Sequence, residues 1–198
     1  RGDLLVEVNV MRHAIFQREG YNLYSTAPIS FAQAALGGDV RITTIDGDVL
    51  FPIKAGTQTD TKIRLKGKGN PGFNGGPAGD LLLKVNVTSK PGFERKGMDI
   101  YTTANIPFTT AVFGGEAKVS TLYGDVICKI PEGTQSGRKI RLRGKGIVSM
   151  KDSAIHGDQY VTVQIQVPQN LSPEAKEKLR EFQQVLYKDT QRKRGSAA

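Results

Sequence analysis

The chain of 198 residues has room for one large or two small domains, and its hydrophobic content of 38 % fits a folded protein with a modest core. Its single cysteine, Cys128, excludes an internal disulfide framework and a multi-cysteine zinc site, and is typical of a buried thiol in a reducing compartment. No apolar run reaches the roughly 18 residues of a membrane-spanning helix. The net charge of +9, to which Arg192, Lys193 and Arg194 contribute, favours acidic partners without specifying nucleic acid.

Near its start the chain reads "GDLLVEVNV" at 2–10, where apolar and polar side chains alternate as in a half-buried β-strand. A closely similar phrase, "GDLLLKVNV", occupies 79–87. Because the second phrase ends a repeated unit, we expect residues 1–17 to hold the closing strand of an upstream element and a connector. The alternation also lacks the continuous apolar block of a signal peptide.

The following segments are written twice. "IRLKGKG" at 63–69 returns as "IRLRGKG" at 140–146, an interval of 77 residues, and "REGYNLY" at 18–24 returns as "RKGMDIY" at 95–101. One inserted residue before Gly157 shifts the last matches by one position. This period is longer than the roughly 20–50 residues of solenoid repeats, so it indicates a duplicated small domain.

Each copy reads mainly as β-strand. In "KIRLK", Ile63 and Leu65 alternate with Lys62, Arg64 and Lys66, which predicts one packed face and one wet face. The second copy repeats this alternation. The basic face is most simply the solvated side of a sheet.

Two shorter signals complete the unit. Asp46-Gly47 lies between alternating runs and predicts a hairpin turn. In "ISFAQAALGG", Phe31, Ala34 and Ala35 fall at helical spacing and Gly37 can end the helix, so we expect one short helix in each unit.

The last segment, "LSPEAKEKLREFQQVLYKD", predicts a helix of about 15 residues, with Ser172 as N-cap and Pro173 at the first helical position. A helix of this length is marginal alone in water, so its apolar stripe must pack on something. It can pack on the second domain or on the same helix of another subunit, and we favour the second option because the chain has no other long helical segment. The stripe consists of Ala175, Leu179, Phe182 and Leu186.

The order and spacing of these segments strongly resemble the C-terminal, client-binding part of DnaJ-type J-domain co-chaperones, the forty-kilodalton heat-shock protein family. The similarity runs from Gly2 to about Leu186 and includes "PISFAQAALGG", "PEGTQSG", "RLRGKG" and "LSPEAKEKLREF". The chain contains neither the "HPD" tripeptide of a J domain nor a Cys-x-x-Cys-x-Gly-x-Gly array. We therefore expect no stimulation of ATP hydrolysis and no zinc module. Both copies resemble the family's second domain more than its first.

The resemblance implies an all-β fold with two tandem small antiparallel β-sandwich domains, each with one short helix, followed by a C-terminal dimerisation helix. Within these bounds, 1–17 is the closing strand and connector, and 18–87 is the first, client-binding domain. The second domain is 88–168, and 169–198 is the dimerisation helix with a basic tail.

The implied function is that of a co-chaperone fragment. It would bind non-native polypeptides by strand addition and apolar grooves, form a homodimer and present clients to a DnaK-type seventy-kilodalton heat-shock chaperone. The resemblance implies no enzymatic activity and no cofactor. It places the protein in a cytoplasmic setting, either a bacterial cytosol or an organellar matrix.

The resemblance also suggests site residues by position. The peptide-binding residues would be Ser25, Ala27, Ile42, Thr44 and Leu83. The matching positions of the second unit include Ala104, Ile106, Val119 and Val161. The dimerisation residues would be Leu179, Phe182 and Leu186. An apolar pair such as Ile42 and Leu83 also fits a hydrophobic core, and this alternative stays open.

A basic tandem β module that binds nucleic acid is the alternative function, suggested by the pI near 9.7 and the "RLKGKG" strings. Such modules usually combine a basic groove with exposed stacking aromatics, and no aromatic-rich strand is evident here. No nucleophile elbow, phosphate loop or acid–base pair is present to indicate an enzyme. His13 and His156 lack cysteine or acidic neighbours at ligand spacing, so we expect no metal site.

Overall fold

A computed structural model describes residues 2–195, with side chains for residues 2–188. Two β units follow one another and a long helix ends the chain. The first unit contains β1 (Gln17–Glu19), β2 (Asn22–Ile29), α1 (Phe31–Leu36), β3 (Gly38–Thr44), β4 (Gly47–Ile53), β5 (Lys62–Leu65) and β6 (Leu81–Val87). The second contains β7 (Glu94–Lys96), β8 (Asp99–Pro107), α2 (Phe108–Phe113), β9 (Gly115–Thr121), β10 (Gly124–Ile130), β11 (Lys139–Leu142) and β12 (Gln159–Gln166), and α3 (Pro173–Gly195) follows. The predicted basic tail contains Arg192, Lys193 and Arg194, whose side chains lie outside the described side-chain range 2–188.

The two units have the same topology. The first has a four-stranded sheet in the order β1-β2-β6-β5 and a two-stranded hairpin β3-β4, and the second repeats this with β7-β8-β12-β11 and β9-β10. The prediction of tandem β-sandwich units, each with one short helix, and of a C-terminal helix is therefore confirmed. The description of the sheets as antiparallel is wrong in one detail, because β2–β6 and β8–β12 are parallel pairs. Between β2 and β6 the chain passes through α1, the hairpin β3-β4 and β5, and such a long crossover allows the two strands to run parallel.

The core of each unit lies between its four-stranded sheet and its hairpin. The alternation predicted for the "KIRLK" segment is confirmed, because Ile63 is buried whereas Lys62 and Arg64 are exposed. The first core contains Phe16, Leu23, Ala27, Ile29, Ala34, Val40, Ile42, Ile53, Ile63, Leu81, Leu83 and Val85. The second is formed by Ala104, Val119, Cys128 and Val161 together with Ile106, Ala111, Ile130 and Val163.

The repeated segments "IRLKGKG" at 63–69 and "GDLLLKVNV" at 79–87 meet at one turn of the fold. Asp80, just before β6, accepts the backbone N–H of Gly67 and the Nε–H of Arg64, which ties the turn after β5 to the start of β6. Gly79 must be glycine, because a Cβ there would lie 1.9 Å from the carbonyl oxygen of Tyr21. The second unit repeats this clamped turn, because Asp158 accepts the N–H of Gly144 and the Nε–H of Arg141.

The predicted short helix is present in both units. In α1, Ser30 and Gln33 form a capping box, in which Ser30 Oγ accepts the N–H of Gln33 and Gln33 Oε1 accepts the N–H of Ser30. The helix ends at Gly37, whose φ of +78° favours glycine. The hairpin turn predicted at Asp46-Gly47 is also confirmed, with Thr44 paired to Gly47 across it.

The C-terminal helix is longer than predicted. Ser172 Oγ accepts the N–H of Ala175 at 3.1 Å, which confirms the N-cap, but α3 runs for 23 residues because no breaker occurs before Gly195. Leu179 and Phe182 of the apolar stripe are 44 % and 46 % exposed. Within the described part of the chain, much of this stripe is therefore in contact with solvent.

One junction joins the two units. Phe31 and Ala35 of α1 pack with Ile100 and Ile147 of the second unit. The Arg95 guanidinium donates hydrogen bonds to the carbonyl oxygens of Thr57 and Gly56, at 2.7 and 2.9 Å. Apolar packing and charge-assisted hydrogen bonds thus hold the units together.

Residues 2–10 form no strand pair within the described chain, although their sequence repeats that of β6. Leu4 and Leu5 are almost fully exposed. Among the described residues, no helix is long and apolar enough to cross a membrane.

Candidate functional site

The first unit has an open sheet edge. The short strand β1 pairs only with Asn22–Tyr24, so within the described chain the rest of β2 has no strand on that side. The N–H of Leu23 donates towards β6, to the carbonyl oxygen of Asp80 at 2.9 Å. Backbone groups alternate in direction along a strand, so Thr26 turns its N–H and C=O, and Pro28 turns its C=O, towards the open side.

A groove of about 720 Å³ runs beside this edge, on the outer face of the four-stranded sheet. Its apolar surface comes from Ile15, which is mostly exposed, from Leu82, which is half-buried, and from the ring of Tyr24. The complete lining is His13, Ala14, Ile15, Gln17, Tyr24, Ser25, Thr26, Lys62, Leu82, Leu83 and Lys84. Unpaired backbone groups and exposed apolar side chains therefore lie next to each other.

The charged rim of the groove is basic. Lys62 and Lys84 are exposed, and Lys84 Nζ lies 2.9 Å from the carboxylate of Asp60. Partial desolvation, with the nearby charge of Glu19, raises the pKa of Tyr24 above its ordinary value. The hydroxyl of Tyr24 also donates a hydrogen bond to the side chain of Glu19, which adds to this rise in the pKa.

His13 shapes one wall of this groove. Its Nδ1 accepts the N–H of Ile15 at 3.1 Å and that of Phe16 at 3.3 Å, and its ring lies 5.1 Å from the ring of Phe16. His156 lies in the second unit, with Nδ1 3.3 Å from Tyr123 Oη. No group of three potential metal ligands occurs within the described residues.

The structure separates the five predicted peptide-binding residues. Ser25 and Leu83 border the groove, where Leu83 contributes its backbone because its side chain is in the core. Ala27 and Ile42 lie in the core, and Thr44 is buried beneath the hairpin turn, where its Oγ1 donates to the carbonyl oxygen of Gly47 at 2.7 Å. Their role in peptide binding stays a prediction.

Sequence reasoning missed Tyr24, Thr26, Leu82 and Ile15. The first three occupy even-numbered positions of β2 and β6, which face outwards, whereas the predicted Ala27 and Leu83 occupy odd-numbered positions that face the core. The alternation of "NLYSTAPI" and "LLLKVNV" carried the signal that could have separated the two faces.

The second unit has an equivalent edge and a smaller groove. β7 pairs only with Asp99–Tyr101, and the groove beside the rest of β8 has a volume of about 470 Å³. Tyr101 stacks on Tyr160 with ring centroids 5.2 Å apart, and Gly92 replaces Ile15 of the first unit. The first groove therefore has more room and more accessible apolar surface.

Comparison with known proteins places this fold. The two tandem β-sandwich units are matched by a protein-family model. The model of the DnaJ C terminal domain matches residues 1–71 and 49–168. The chain therefore belongs to the DnaJ C-terminal domain family.

Several curated relatives share the name "Chaperone protein DnaJ". The protein of Lachnospira eligens is 42 % identical over 134 residues, which cover 68 % of this chain and 36 % of the relative. That of Burkholderia thailandensis is 46 % identical over 134 residues, or 68 % of this chain and 35 % of the relative. That of Exiguobacterium sp. is 47 % identical over 133 residues, or 67 % of this chain and 36 % of the relative. The matched region thus spans about a third of the length of these relatives, and their names are those of chaperones rather than enzymes.

Proposed function

We propose that the chain is the client-binding part of a DnaJ-type co-chaperone and that the groove of the first unit binds non-native polypeptides. The observation that carries this proposal is the open edge of β2 next to the groove of about 720 Å³. An unfolded client offers an extended backbone and apolar side chains, and this site offers partners for both.

The client would add a strand to the sheet. Thr26 supplies one donor and one acceptor, and Pro28 supplies an acceptor only, so pairing along this edge is short. Apolar side chains of the client would enter the groove between Ile15, Tyr24 and Leu82. Backbone pairing makes such binding tolerant of sequence, and the cost of ordering the client keeps the affinity micromolar, about −8 kcal/mol.

The residues predicted from the sequence take two roles in this proposal. Ser25 and the Leu83 backbone line the groove, and Ala27, Ile42 and Thr44 support the sheet from the core side. They would fix the spacing of β2 and β6 on which the groove depends.

We further propose that α3 forms a homodimer through Leu179, Phe182 and Leu186. The half-exposed Leu179 and Phe182 support this, because an apolar stripe gains stability by burial against a partner. Two weak grooves on one frame would bind a long client on the order of 10²-fold more tightly than one groove.

The proposed partner is a DnaK-type seventy-kilodalton heat-shock chaperone, to which the dimer would present clients. The resemblance to relatives named DnaJ supports this partnership, and a bacterial cytosol or an organellar matrix is the proposed setting. We also propose that residues 2–10 serve as the closing strand of a preceding unit, since they repeat the sequence of β6.

The test uses groove variants of the whole chain. Leu82→Asp places a charge on the outer face of β6, and Leu50→Asp, on an exposed position of β4, is the matched control. The wild type and Leu50→Asp should slow the aggregation of a chemically unfolded, reduced protein without ATP, whereas Leu82→Asp should lose most of this effect. Equal activity of the two variants, or no effect of the wild type at several-fold excess, would contradict the proposed site.

A further inference from the structure

The second unit carries an uncovered copy of the surface that joins the first unit to the second. In the first unit, Phe31 is only 6 % exposed because it packs in the junction. Its repeat equivalent, Phe108, is 37 % exposed. Ala35 is fully buried, whereas its equivalent, Val112, is only half-buried. The same helix face is therefore covered in one unit and open in the other.

The loop beside this helix shows the same contrast. The carbonyl oxygens of Gly56 and Thr57 accept the guanidinium of Arg95 at 2.9 and 2.7 Å. At the equivalent loop, the carbonyl oxygen of Gly133 accepts the side-chain amide of Gln135, at 3.2 Å, and no guanidinium of the described residues reaches it. Gly56 is buried whereas Gly133 is exposed, and Thr134, like Thr57, stays buried, so the accessible acceptor of this loop is the carbonyl oxygen of Gly133.

The residues that follow the last strand of each unit explain why the surface on α2 is uncovered. After β6, the chain continues through Phe93 and Arg95, which fill the surface of the first unit. After β12, with the inserted residue counted, the equivalent positions are Leu171 and Pro173, at the start of α3. A proline cannot supply the guanidinium, so no described residue provides a cationic donor to the carbonyl oxygen of Gly133.

The charge at this loop also differs between the units. Glu132 stands where the first unit has Ala55, directly before the loop glycine, and its side chain is exposed. Glu116 is also exposed, but its equivalent Asp39 carries the same charge, so Glu132 is the carboxylate that the second unit adds here. A carboxylate beside carbonyl oxygens favours an arginine, which can bind both at once.

We infer that Phe108, Val112, Glu132 and Gly133 form a second polypeptide-binding site, which we call the α2 face. Its occupant is an extended segment with an aromatic side chain followed two residues later by an arginine, in the arrangement of Phe93 and Arg95. The aromatic ring packs on α2 and the guanidinium binds the carbonyl oxygen of Gly133 and the carboxylate of Glu132.

The α2 face differs from the grooves. It is formed by the short helix and the loop after β10, whereas both grooves lie on four-stranded sheets. A second copy of this chain is a poorer occupant, because Phe16, the counterpart of Phe93, is 7 % exposed and belongs to the core of its own unit. The inference therefore goes beyond the proposed groove and does not depend on it.

The probe for this site is a labelled peptide with the sequence of residues 88–97, "TSKPGFERKG". Its anisotropy on titration with the whole chain should give a dissociation constant on the order of 10⁻⁴ M. A peptide with alanine in place of Phe and Arg should show no saturable binding. Amide shifts in an ¹⁵N spectrum should map to α2 and the loop at Gly133.

Two variants locate the binding. Glu132→Lys should weaken it by about three- to tenfold, and Phe108→Ala by a similar factor. Glu19→Lys makes the same charge change on an exposed position of the first unit and should leave it unchanged. The groove variant Leu82→Asp should also bind the peptide normally, so failure of the groove and failure of this site are distinguishable.

Three results would overturn the inference. They are equal binding by Glu132→Lys and the wild type, shifts confined to the grooves, and absence of saturable binding. If instead the chain alone forms higher oligomers that Arg18→Glu abolishes, the occupant is a second copy and not a peptide. Circular dichroism of each variant verifies that it is folded.

Discussion

The carboxylate of Asp80 accepts the backbone N–H of Gly67 at 2.8 Å, and Asp158 accepts that of Gly144 at the same distance. The hydrogen bond from Gly67, followed by that from Arg64, lowers the pKa of Asp80 below its ordinary value. The hydrogen bond from Gly144 lowers the pKa of Asp158 in the same way, so the clamp of each unit is strongest while its carboxylate is ionised.

The first prediction concerns acid stability. Because the folded-state pKa of Asp80 is lowered, its contribution to stability is present above the unfolded pKa of about 3.9 and is lost as pH falls through the folded pKa. Asp80→Asn should be less stable than the wild type in urea at pH 7, and the difference should shrink at pH 3. Asp3→Asn, in the exposed N-terminal segment, is the control. A difference that does not change with pH would contradict the clamp.

The second prediction tests the junction between the units. Arg95→Ala removes two charge-assisted hydrogen bonds to carbonyl oxygens and should reduce the free energy of unfolding by about 1–2 kcal/mol, since the side chain is only half-buried. Arg18→Ala is the matched control, because Arg18 also bonds a nearby glycine carbonyl but has no second-unit partner. Urea denaturation, monitored by circular dichroism, measures the free energy of unfolding of both variants. Equal losses would mean that the hydrogen bonds of Arg95 across the junction contribute nothing to stability.

The third prediction concerns strand addition. Thr26→Pro removes the only backbone N–H that we place on the open edge of β2 between Ser25 and Pro28. It should weaken the binding of an extended apolar peptide by about two- to tenfold, the worth of one net hydrogen bond. Thr103→Pro makes the same change at the equivalent position of β8. If Thr103→Pro has the larger effect, the second unit carries the main groove.

The fourth prediction concerns α3. Deletion of residues 171–198, or Phe182→Asp in the apolar stripe, should convert a dimer into a monomer in sedimentation. Lys178→Asp, at an exposed position of the same helix, should leave the dimer intact. An unchanged mass after deletion would show that the helix does not mediate dimerisation.

The fifth prediction concerns the single thiol. Cys128 is buried in the core of the second unit, and burial raises the pKa of the thiol. It should therefore react with a thiol reagent much more slowly in the native chain at pH 8 than in denaturant. Fast native reaction would show that β10 opens locally.

The sequence predicted the fold because its signals are local. Asp46-Gly47 marks a turn, Ser172 caps a helix, and the "KIRLK" segment alternates, and each of these is decided by neighbouring residues. The groove was harder to predict, because it depends on which face of β2 meets the hairpin. Ala27 and Tyr24 differ by an odd number of positions and therefore lie on opposite faces of β2, and Ala27 is the one that packs with Ile42 in the core.

The open sheet edges could not be predicted from local sequence patterns either. The pairing of β1 ends where Gln17 meets Tyr24, and the connector just before it turns at Ile15, whose N–H donates to Nδ1 of His13. The Arg95 contact with the loop at Gly56 joins residues 39 positions apart, and no pattern in the sequence marks it.

The parallel pairing of β2 with β6 has a consequence for biosynthesis. The strands that meet at the centre of the first sheet are separated by the whole unit, as in the hydrogen bond between Asn22 and Asp80, 58 residues apart. Contacts of such long sequence separation form slowly, because the intervening loop must first be closed. On the ribosome, neither sheet can be completed until its last long strand has emerged, so the two units would mature one after the other as translation proceeds.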